Sequence, residues 1–229
     1  MTPTNYEHIW DCCCDHGFLG ASLLSRQTAP NIHFVDIVPE LIDTLKHKLQ
    51  RFYADSSVVW TAQCINVKEL PLAQHQGKHL VIIAGIGGDL MIELVSGIYR
   101  NNPTIDIDFL LCPVHHQFNL RKQLIALNFS LKDEVLIEEN KRFYEILFVS
   151  TARHQASNEC SKNTSYQPIS PIGDKMWKTD SSEQEKTIKK YLNKTLNHYQ
   201  RIQQGNKSST SDIAAIIEAY QKQQKKTHF

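Results

Sequence analysis

Long apolar runs are missing from this 229-residue sequence, and none approaches the roughly 20 residues that a membrane-spanning helix requires. Residues 1 to 10 also lack the basic start and the apolar stretch of a signal peptide. We therefore expect a soluble, cytoplasmic protein. With 41% hydrophobic and 21% charged residues, the chain has ordinary globular composition and room for one α/β domain plus a small appendage.

An excess of either charge sign is also missing, since the net charge is only +1. The two signs are nevertheless separated along the chain. Residues 1 to 174 hold 14 Lys and Arg against 19 Asp and Glu, a net of −5, whereas residues 175 to 229 hold 11 against 5, a net of +6. This asymmetry is typical of a basic tail that meets an anionic partner, although a lysine-rich, solvated helix face would give the same counts.

Zinc-type spacing is absent among the six cysteines. Cys12, Cys13 and Cys14 are consecutive, and neighbouring residues of a strand point to opposite faces, so these three cannot form a shared set of disulfides. Cys12 and Cys14 lie near His16, but no second Cys or His pair follows at zinc spacing. We expect reduced thiols and no metal site.

Glycine is scarce where a phosphate-binding loop needs it. Residues 8–20 read HIWDCCCDHGFLG, which predicts a short apolar strand, a polar loop and the start of a helix. The dinucleotide fingerprint G-x-G-x-x-G would place its glycines at Cys12, Cys14 and Gly17, so the close backbone approach of a pyrophosphate is not indicated.

Carboxylates follow the first two predicted strands. Asp11, Asp15 and His16 would lie at the carboxyl end of the first strand, the side of an open α/β sheet on which ligands bind. Asp36 ends the second strand, where it is suited to accept hydrogen bonds from a ribose diol. A cofactor with a ribose but no phosphates fits both features, and S-adenosyl-L-methionine is the commonest such molecule.

Strand and helix patterns alternate five times along the chain. The apolar run Leu80 to Ala84 is typical of a central parallel strand buried on both faces. A third strand is predicted at Ser57 to Ala62, and Leu131 to Glu138 with Phe143 to Thr151 predict an antiparallel hairpin. The expected fold class is α/β: a Rossmann-like class I methyltransferase fold with a seven-stranded, mostly parallel sheet and a C-terminal α-helical hairpin.

Composition changes after the hairpin, where Ser, Asn, Thr and Pro dominate. We predict a cofactor-binding catalytic domain at 1–152, a linker at 153–182 with an ordered patch around Pro168 to Trp177, and a helical, coiled-coil-like domain at 183–229. Two apolar stripes at helical spacing support a pair of antiparallel helices in the last segment.

Three motifs together resemble the TrmK family of bacterial tRNA adenine-N1 methyltransferases. Asp11-x-x-x-Asp15-His16-Gly17-Phe18-Leu19 is similar to the family's D-I-G-S/T-D-H-A-Y-L-P, Ile82 to Gly88 to its I-A-G-M-G-G, and Phe143 to Leu147 to its K-x-Y-E-I/V-L. The resemblance spans residues 8 to 150 and identifies the chain as a divergent member. It implies S-adenosylmethionine-dependent methylation of N1 of an adenine in tRNA, the family's target being adenine 22.

Site residues follow from strand ends and from this resemblance. The candidate catalytic residues are Asp15 and His16, for which a local turn with an Asx hydrogen bond is the structural alternative. The expected cofactor-binding residues are Asp11, Gly17, Asp36, Ile37, Gln63, Cys64, Ala84, Gly85 and Gly87. The expected substrate-binding residues are Gly88, Pro113, His115, His116, Tyr144, Lys189, Lys190 and Arg201.

Two departures from the family pattern bear on activity. The family's G-D-G-L, whose Asp would meet the adenine amino group of the cofactor, is Gln63-Cys64-Ile65-Asn66 here, and the family's Q-P-N is Cys112-Pro113-Val114. Val114 can pack against a base but cannot hydrogen-bond it. Two other functions therefore remain open: a class I methyltransferase with a small-molecule or protein acceptor, and a non-catalytic RNA-binding relative.

Overall fold

The computed structural model describes residues 5–152, 167–205 and 210–226. One eight-stranded sheet has the order β3-β2-β1-β4-β5-β7-β6-β8. The strands are β1 His8–Cys12, β2 Asn31–Asp36, β3 Val59–Cys64, β4 His79–Ala84, β5 Ile107–Cys112, β6 Ser130–Glu139, β7 Arg142–Ser150 and β8 Gln167–Pro168. The helices are α1 Phe18–Ser25, α2 Pro39–Phe52, α3 Gly88–Asn101, α4 Gln117–Ala126, α5 Ser182–Gly205 and α6 Thr210–Lys226.

Helices cover both faces of the parallel part of the sheet. On one face, leucines and isoleucines of α1 and α2 pack on Ile9, Phe34 and Ile82. On the other face, α3 and α4 pack on Trp10 and Val81. Strands covered on both faces read as continuous apolar runs, and this explains why β4 was predictable.

Strand pairing follows the predicted arrangement. Strands β1 to β5 pair in parallel, and β7 pairs antiparallel with both β5 and β6. Asn140 and Lys141 join β6 to β7 with φ values of 49° and 61°, the left-handed conformation that tight hairpin turns require. The sheet differs from the prediction in two details: β3 begins at Val59, and the short strand β8 adds an eighth member that pairs with β6.

The C-terminal helices pack on the sheet domain and on each other. Leu136 of β6 and Phe118 of α4 share one buried cluster with Trp177, Ile188 of α5 and Ile216 of α6. Residues 153–166, the first part of the predicted linker, lie outside the described residues. Among the described residues, no helix combines the length and the apolar character needed to cross a bilayer.

A fully buried ion network fastens α5 to this sheet. Arg121 donates to Glu145 at 2.8 Å and to Glu134 at 2.7 Å, and all three side chains are inaccessible to solvent or nearly so. The hydroxyl of Tyr191 on α5 donates to the other oxygen of Glu145. Glu134 also accepts the backbone N–H of Lys175 at 2.7 Å. Every carboxylate oxygen of the network has a donor, and two of these donors come from α5 and from the segment before it. The buried charges are therefore stable only when both of these parts are docked.

Candidate active site

The loop after β1 takes an unusual backbone path. Cys13, Asp15 and Gly17 have φ values of 54°, 49° and 71°. Only glycine adopts this left-handed region freely, so the loop stores strain at two positions, as functional loops often do. Of the three positions at which the dinucleotide fingerprint has glycine, only Gly17 has a positive φ, and the other two positive φ values fall on Cys13 and Asp15.

Asp11, at the end of β1, ties this loop to the start of α1. Its carboxylate is 4% exposed and accepts the backbone N–H of Gly20 in α1 at 2.8 Å. A Cβ atom at Gly20 would lie 2.8 Å from that carboxylate oxygen and 2.3 Å from the Phe34 ring, so glycine is required there. Burial raises the pKa of Asp11 to about 7, the Gly20 N–H opposes this rise, and the nearby Asp36 carboxylate adds to it.

The cysteines of the loop are thiols. Burial raises the pKa of Cys13 to about 11 and that of Cys14 to about 12, and the carboxylates of Asp11 and Asp36 add to both effects. The five cysteines in the described part of the chain are all free. The thiolate form that a metal or a nucleophilic role would need is therefore disfavoured at neutral pH.

Asp36 lies at the tip of β2, beside the same loop. One carboxylate oxygen accepts the N–H of Asp15 at 3.0 Å and the other accepts the N–H of Val38 at 3.1 Å. Each oxygen keeps a second acceptor position, since a carboxylate offers about four in total. Ile37, the next residue, is 66% exposed and presents an apolar surface at this edge.

The tip of β3 adjoins Asp36. Cys64 pairs in register with Asp36, and its thiol donates to the carbonyl of Ile37 at 3.5 Å. Asn66 caps the following turn by accepting the N–H of Lys68 at 3.0 Å. Of the polar side chains that could replace the family's carboxylate here, Asn66 is therefore engaged, and Gln63 is half-buried beside Val35.

The loops after β4 and β5 interlock. Gly88 donates its N–H to the carbonyl of His115, and Val114 donates to the carbonyl of Ile86, both at 3.0 Å. A Cβ atom at Gly87 would lie 2.5 Å from the His115 ring. Gly85, with φ of 80°, faces open space instead. Gly88 and Pro113 are buried, so they shape these loops from within.

His116 and Asp89 form an exposed pair that the motifs did not reveal. The His116 Nδ1 and an Asp89 oxygen are 2.7 Å apart, and Asp89 lies in the first turn of α3. His116 adopts φ of 60° at the start of α4. Asp15 and His16 form a second, looser pair at 3.7 Å in which both side chains are at least half exposed.

A cleft of about 830 Å³ separates the loop after β5 from the helical pair. Its sheet-side wall includes Val114, His115, His116 and Phe143. Its helix-side wall includes Tyr191, Lys194, Thr195, His198, Tyr199, Ile202, Ile213, Ile216 and Tyr220. The Lys194 ammonium lies 5.2 Å from the centre of the Phe143 ring. The cleft thus offers aromatic surfaces and a cation beside the histidine pair.

The other predicted substrate residues lie outside this cleft lining. Phe143 lines the cleft and Glu145 contacts Tyr191, so Tyr144 points to the opposite face of β7. Lys189 and Arg201 are exposed on α5. Lys190 is exposed as well, but it pairs with Glu138 at 3.0 Å.

The methyltransferase-domain family model matches residues 1–147. No curated protein matches the chain significantly. Among solved structures, TrmK of M. capricolum in complex with S-adenosyl-homocysteine superposes with a TM-score of 0.69 at 15% identity, covering 98% of this chain and 92% of that chain. The B. subtilis m1A22 tRNA methyltransferase TrmK gives 0.63 at 18% identity, covering 97% and 93%.

A third solved structure matches a smaller part of the chain. The magnesium protoporphyrin IX methyltransferase ChlM from Synechocystis, with S-adenosylmethionine bound, gives a TM-score of 0.50 at 16% identity, covering 66% of this chain and 72% of that chain. At such low identities these structures establish the fold, and they confirm the predicted class I arrangement. Because the family model also spans well over half of the sequence, the chain belongs to the methyltransferase-domain family.

Proposed function

We propose that this protein is an S-adenosyl-L-methionine-dependent methyltransferase that acts on N1 of an adenine in tRNA. The observation that carries the proposal is the cleft between the loop after β5 and helices α5 and α6. It joins the ligand-binding edge of the sheet to the basic helices, so one surface could hold both a target base and the phosphates around it.

The residues at the sheet edge fit the proposed cofactor. Asp36 has acceptor positions for the ribose hydroxyls, and the exposed Ile37 offers an apolar surface for the adenine. Gly85 leaves open space where a side chain would otherwise stand. Gln63, Cys64, Ala84 and Gly87 would complete the walls, and Asp11 and Gly17 would hold the loop against the amino-acid part.

The chemistry demands little covalent participation from side chains. S-adenosylmethionine supplies an electrophilic methyl group, and N1 of adenine already carries the lone pair that receives it. The protein must hold the two in line and exclude water. Methylation makes the base cationic, so carboxylates near it would stabilise the product-like charge. Asp15 and Asp89 are exposed carboxylates at this edge, and His16 and His116 lie against them.

The cleft itself suits a nucleobase. Phe143 and Tyr199 line it, and stacking of a base on an aromatic ring is worth about 1 to 3 kcal/mol. Val114 can pack against the base, and His115 and His116 are the neighbouring groups able to hydrogen-bond it. Lys194 could meet a phosphate directly, with Lys189 and Arg201 extending the basic surface along α5.

The extent of the structural likeness favours a tRNA acceptor over a small molecule. The TrmK superpositions cover 97% and 98% of this chain, hence the helical pair, whereas the ChlM superposition covers 66%. We accordingly assign residues 1–152 to cofactor binding and catalysis, 153–182 to a linker whose ordered part at 167–177 packs on the sheet, and 183–229 to RNA binding. The base must leave its stack to reach a methyl group, at a cost of a few kcal/mol, which backbone contacts by these helices would offset.

The test is methyl transfer from labelled S-adenosylmethionine to bulk tRNA, followed by nuclease digestion to locate the methyl group. We expect 1-methyladenine as the product. Lys194→Ala should weaken tRNA binding and lower the slope of log affinity against log salt by roughly 0.7 to 0.9, the contribution of one phosphate contact. Lys222→Ala is the matched control, because Lys222 is exposed on α6 and pairs with Glu218.

Each outcome of this test has a distinct meaning. Incorporation into tRNA, together with tRNA binding that is weaker in the Lys194 variant and unchanged in the Lys222 variant, supports the proposal. If tRNA accepts no label while the protein binds S-adenosylmethionine, the acceptor is a small molecule or a protein. If the protein binds tRNA but not the cofactor, it is a non-catalytic relative.

A further inference from the structure

Four histidines gather at the edge of the sheet opposite the candidate active site. His8 begins β1, His33 lies in β2, His75 precedes β4 and His79 begins it. One ring nitrogen from each of His8, His33 and His75 lies within 4.8 Å of the other two. Their separation along the chain, 25 residues and then 42, resembles no metal-binding spacing, so the sequence alone did not reveal this group.

Hydrogen bonds fix the ring nitrogens of two members. His8 Nε2 lies 3.1 Å from the carbonyl of Gln76, which can only accept, so this nitrogen carries the proton and His8 Nδ1 is left with a lone pair. His33 Nε2 donates to that lone pair at 3.0 Å, and His33 Nδ1 lies 2.9 Å from the hydroxyl of Thr61.

The same contacts form the outer shell of a metal site. A ligating histidine characteristically donates its other ring N–H to a carbonyl or a similar acceptor. His8 does so to Gln76. His33 can do so to Thr61, because the hydroxyl also accepts, and the shared proton then moves from Nε2 to Nδ1. Two nitrogens would thereby face one point without any net loss of a proton.

The distances are compatible with a small divalent ion. Nitrogens bound at about 2.0 to 2.1 Å in a tetrahedral site lie about 3.3 Å apart. The 3.0 Å between His8 Nδ1 and His33 Nε2 is close to this value. His75 is half-buried, so its side chain has room to adjust, and its backbone is hydrogen-bonded by His79. The Trp10 indole in turn donates to His79 at 3.3 Å.

The group offers nitrogen ligands only: His8 and His33 are buried, His75 is half-buried, and each contributes one ring nitrogen. Late first-row ions such as Zn²⁺ favour nitrogen ligands, whereas Mg²⁺ and Ca²⁺ require oxygens.

We propose that His8, His33 and His75 bind one Zn²⁺ ion, with the fourth position open to solvent beside His75. The site lies near the amino ends of β1 and β4, whereas Asp36 and the loop after β1 lie at the carboxyl ends of the strands. The ion would therefore be structural. It would tie the starts of β1 and β4 to β2 and would take no part in methyl transfer.

The test uses the full-length protein stripped with a chelator. Zn²⁺ titrated against a chromophoric chelator should bind at one equivalent and raise the melting temperature, and Co²⁺ should give the visible absorption of a tetrahedral site. His75→Ala should abolish this binding. His47→Ala, which removes an exposed histidine of α2, should leave it unchanged.

A second variant guards against misfolding of the first. Thr61→Val removes the outer-shell partner of His33 and should weaken Zn²⁺ binding by about 10- to 100-fold. The proposal fails if the wild-type protein binds no stoichiometric Zn²⁺, or if His75→Ala and Thr61→Val both retain wild-type affinity.

Discussion

Removal of the Arg121 guanidinium should destabilise the whole protein. Arg121 is fully buried and satisfies Glu134 and Glu145 at 2.7 and 2.8 Å. Burial opposes its charge, but the two glutamates outweigh burial and raise the pKa of Arg121. In Arg121→Met the two carboxylates would remain buried without their common cation. Breaking a buried pair costs about 3 to 5 kcal/mol, and two orphaned carboxylates place the expected loss at the upper end.

Tyr191→Phe supplies the graded comparison. It removes one hydrogen bond to a charged acceptor, worth about 1.5 to 3 kcal/mol, while Glu145 keeps its contact with Arg121. Urea unfolding measures both losses. Tryptophan fluorescence provides the signal: Trp10 and Trp60 report the sheet, and Trp177, whose ring centre lies 5.9 Å from that of Tyr191, reports the docking of α5.

Neutralising the glutamates separates electrostatics from packing. Arg121→Met combined with Glu134→Gln and Glu145→Gln should recover most of the lost stability, since no buried charge is then left unpaired. A loss below about 1 kcal/mol for Arg121→Met alone, against a total stability of about 5 to 15 kcal/mol, would show that this network does not fasten the helices.

Three further predictions concern the sheet edge. Because the pKa of Asp11 rises from 3.8 to about 7 on folding, its contribution to stability is present below pH 4 and is lost as pH rises to 7, by up to about 4 kcal/mol. Urea unfolding of Asp11→Asn at pH 5 and pH 8 should lack this change; an unaltered pH profile would contradict the assignment. Asp36→Asn should weaken S-adenosylmethionine binding by about 1.5 to 3 kcal/mol in calorimetry, whereas Asp43→Asn on the exposed face of α2 should have no effect. His116→Ala and Asp89→Asn should each lower kcat more than cofactor affinity, and the double variant should lose little more than either single one; additive losses would mean that the two act separately.

The fold was predictable because its signals are local. Continuous apolar runs marked buried strands such as β4, and the β6–β7 hairpin was visible as two alternating segments around a short turn. Asp36 was predictable as an edge residue for the same reason, since the carboxyl ends of parallel strands face one side of a sheet. The strand β8 was not, because two residues carry no periodicity.

The cleft and the histidine group depend on contacts between distant segments. Val114 precedes α4 and Lys194 lies in α5, yet both line the same cleft. Their separation in the sequence does not predict this proximity. Asp89 pairs with His116 across 27 residues. The strained φ of Cys13 was equally hidden, because cysteine gives no sign of a left-handed conformation.

The position of Tyr191 in the chain determines when the buried ion network can be completed during synthesis. Glu145 emerges from the ribosome 46 residues before the hydroxyl that completes its hydrogen bonding. At about 5 to 20 residues per second, the nascent sheet waits between about 2 and 9 s for this partner. Until then one oxygen of Glu145 lacks the donor that it has in the folded protein. Helix α5 therefore decides when the surroundings of Glu145 can finish folding.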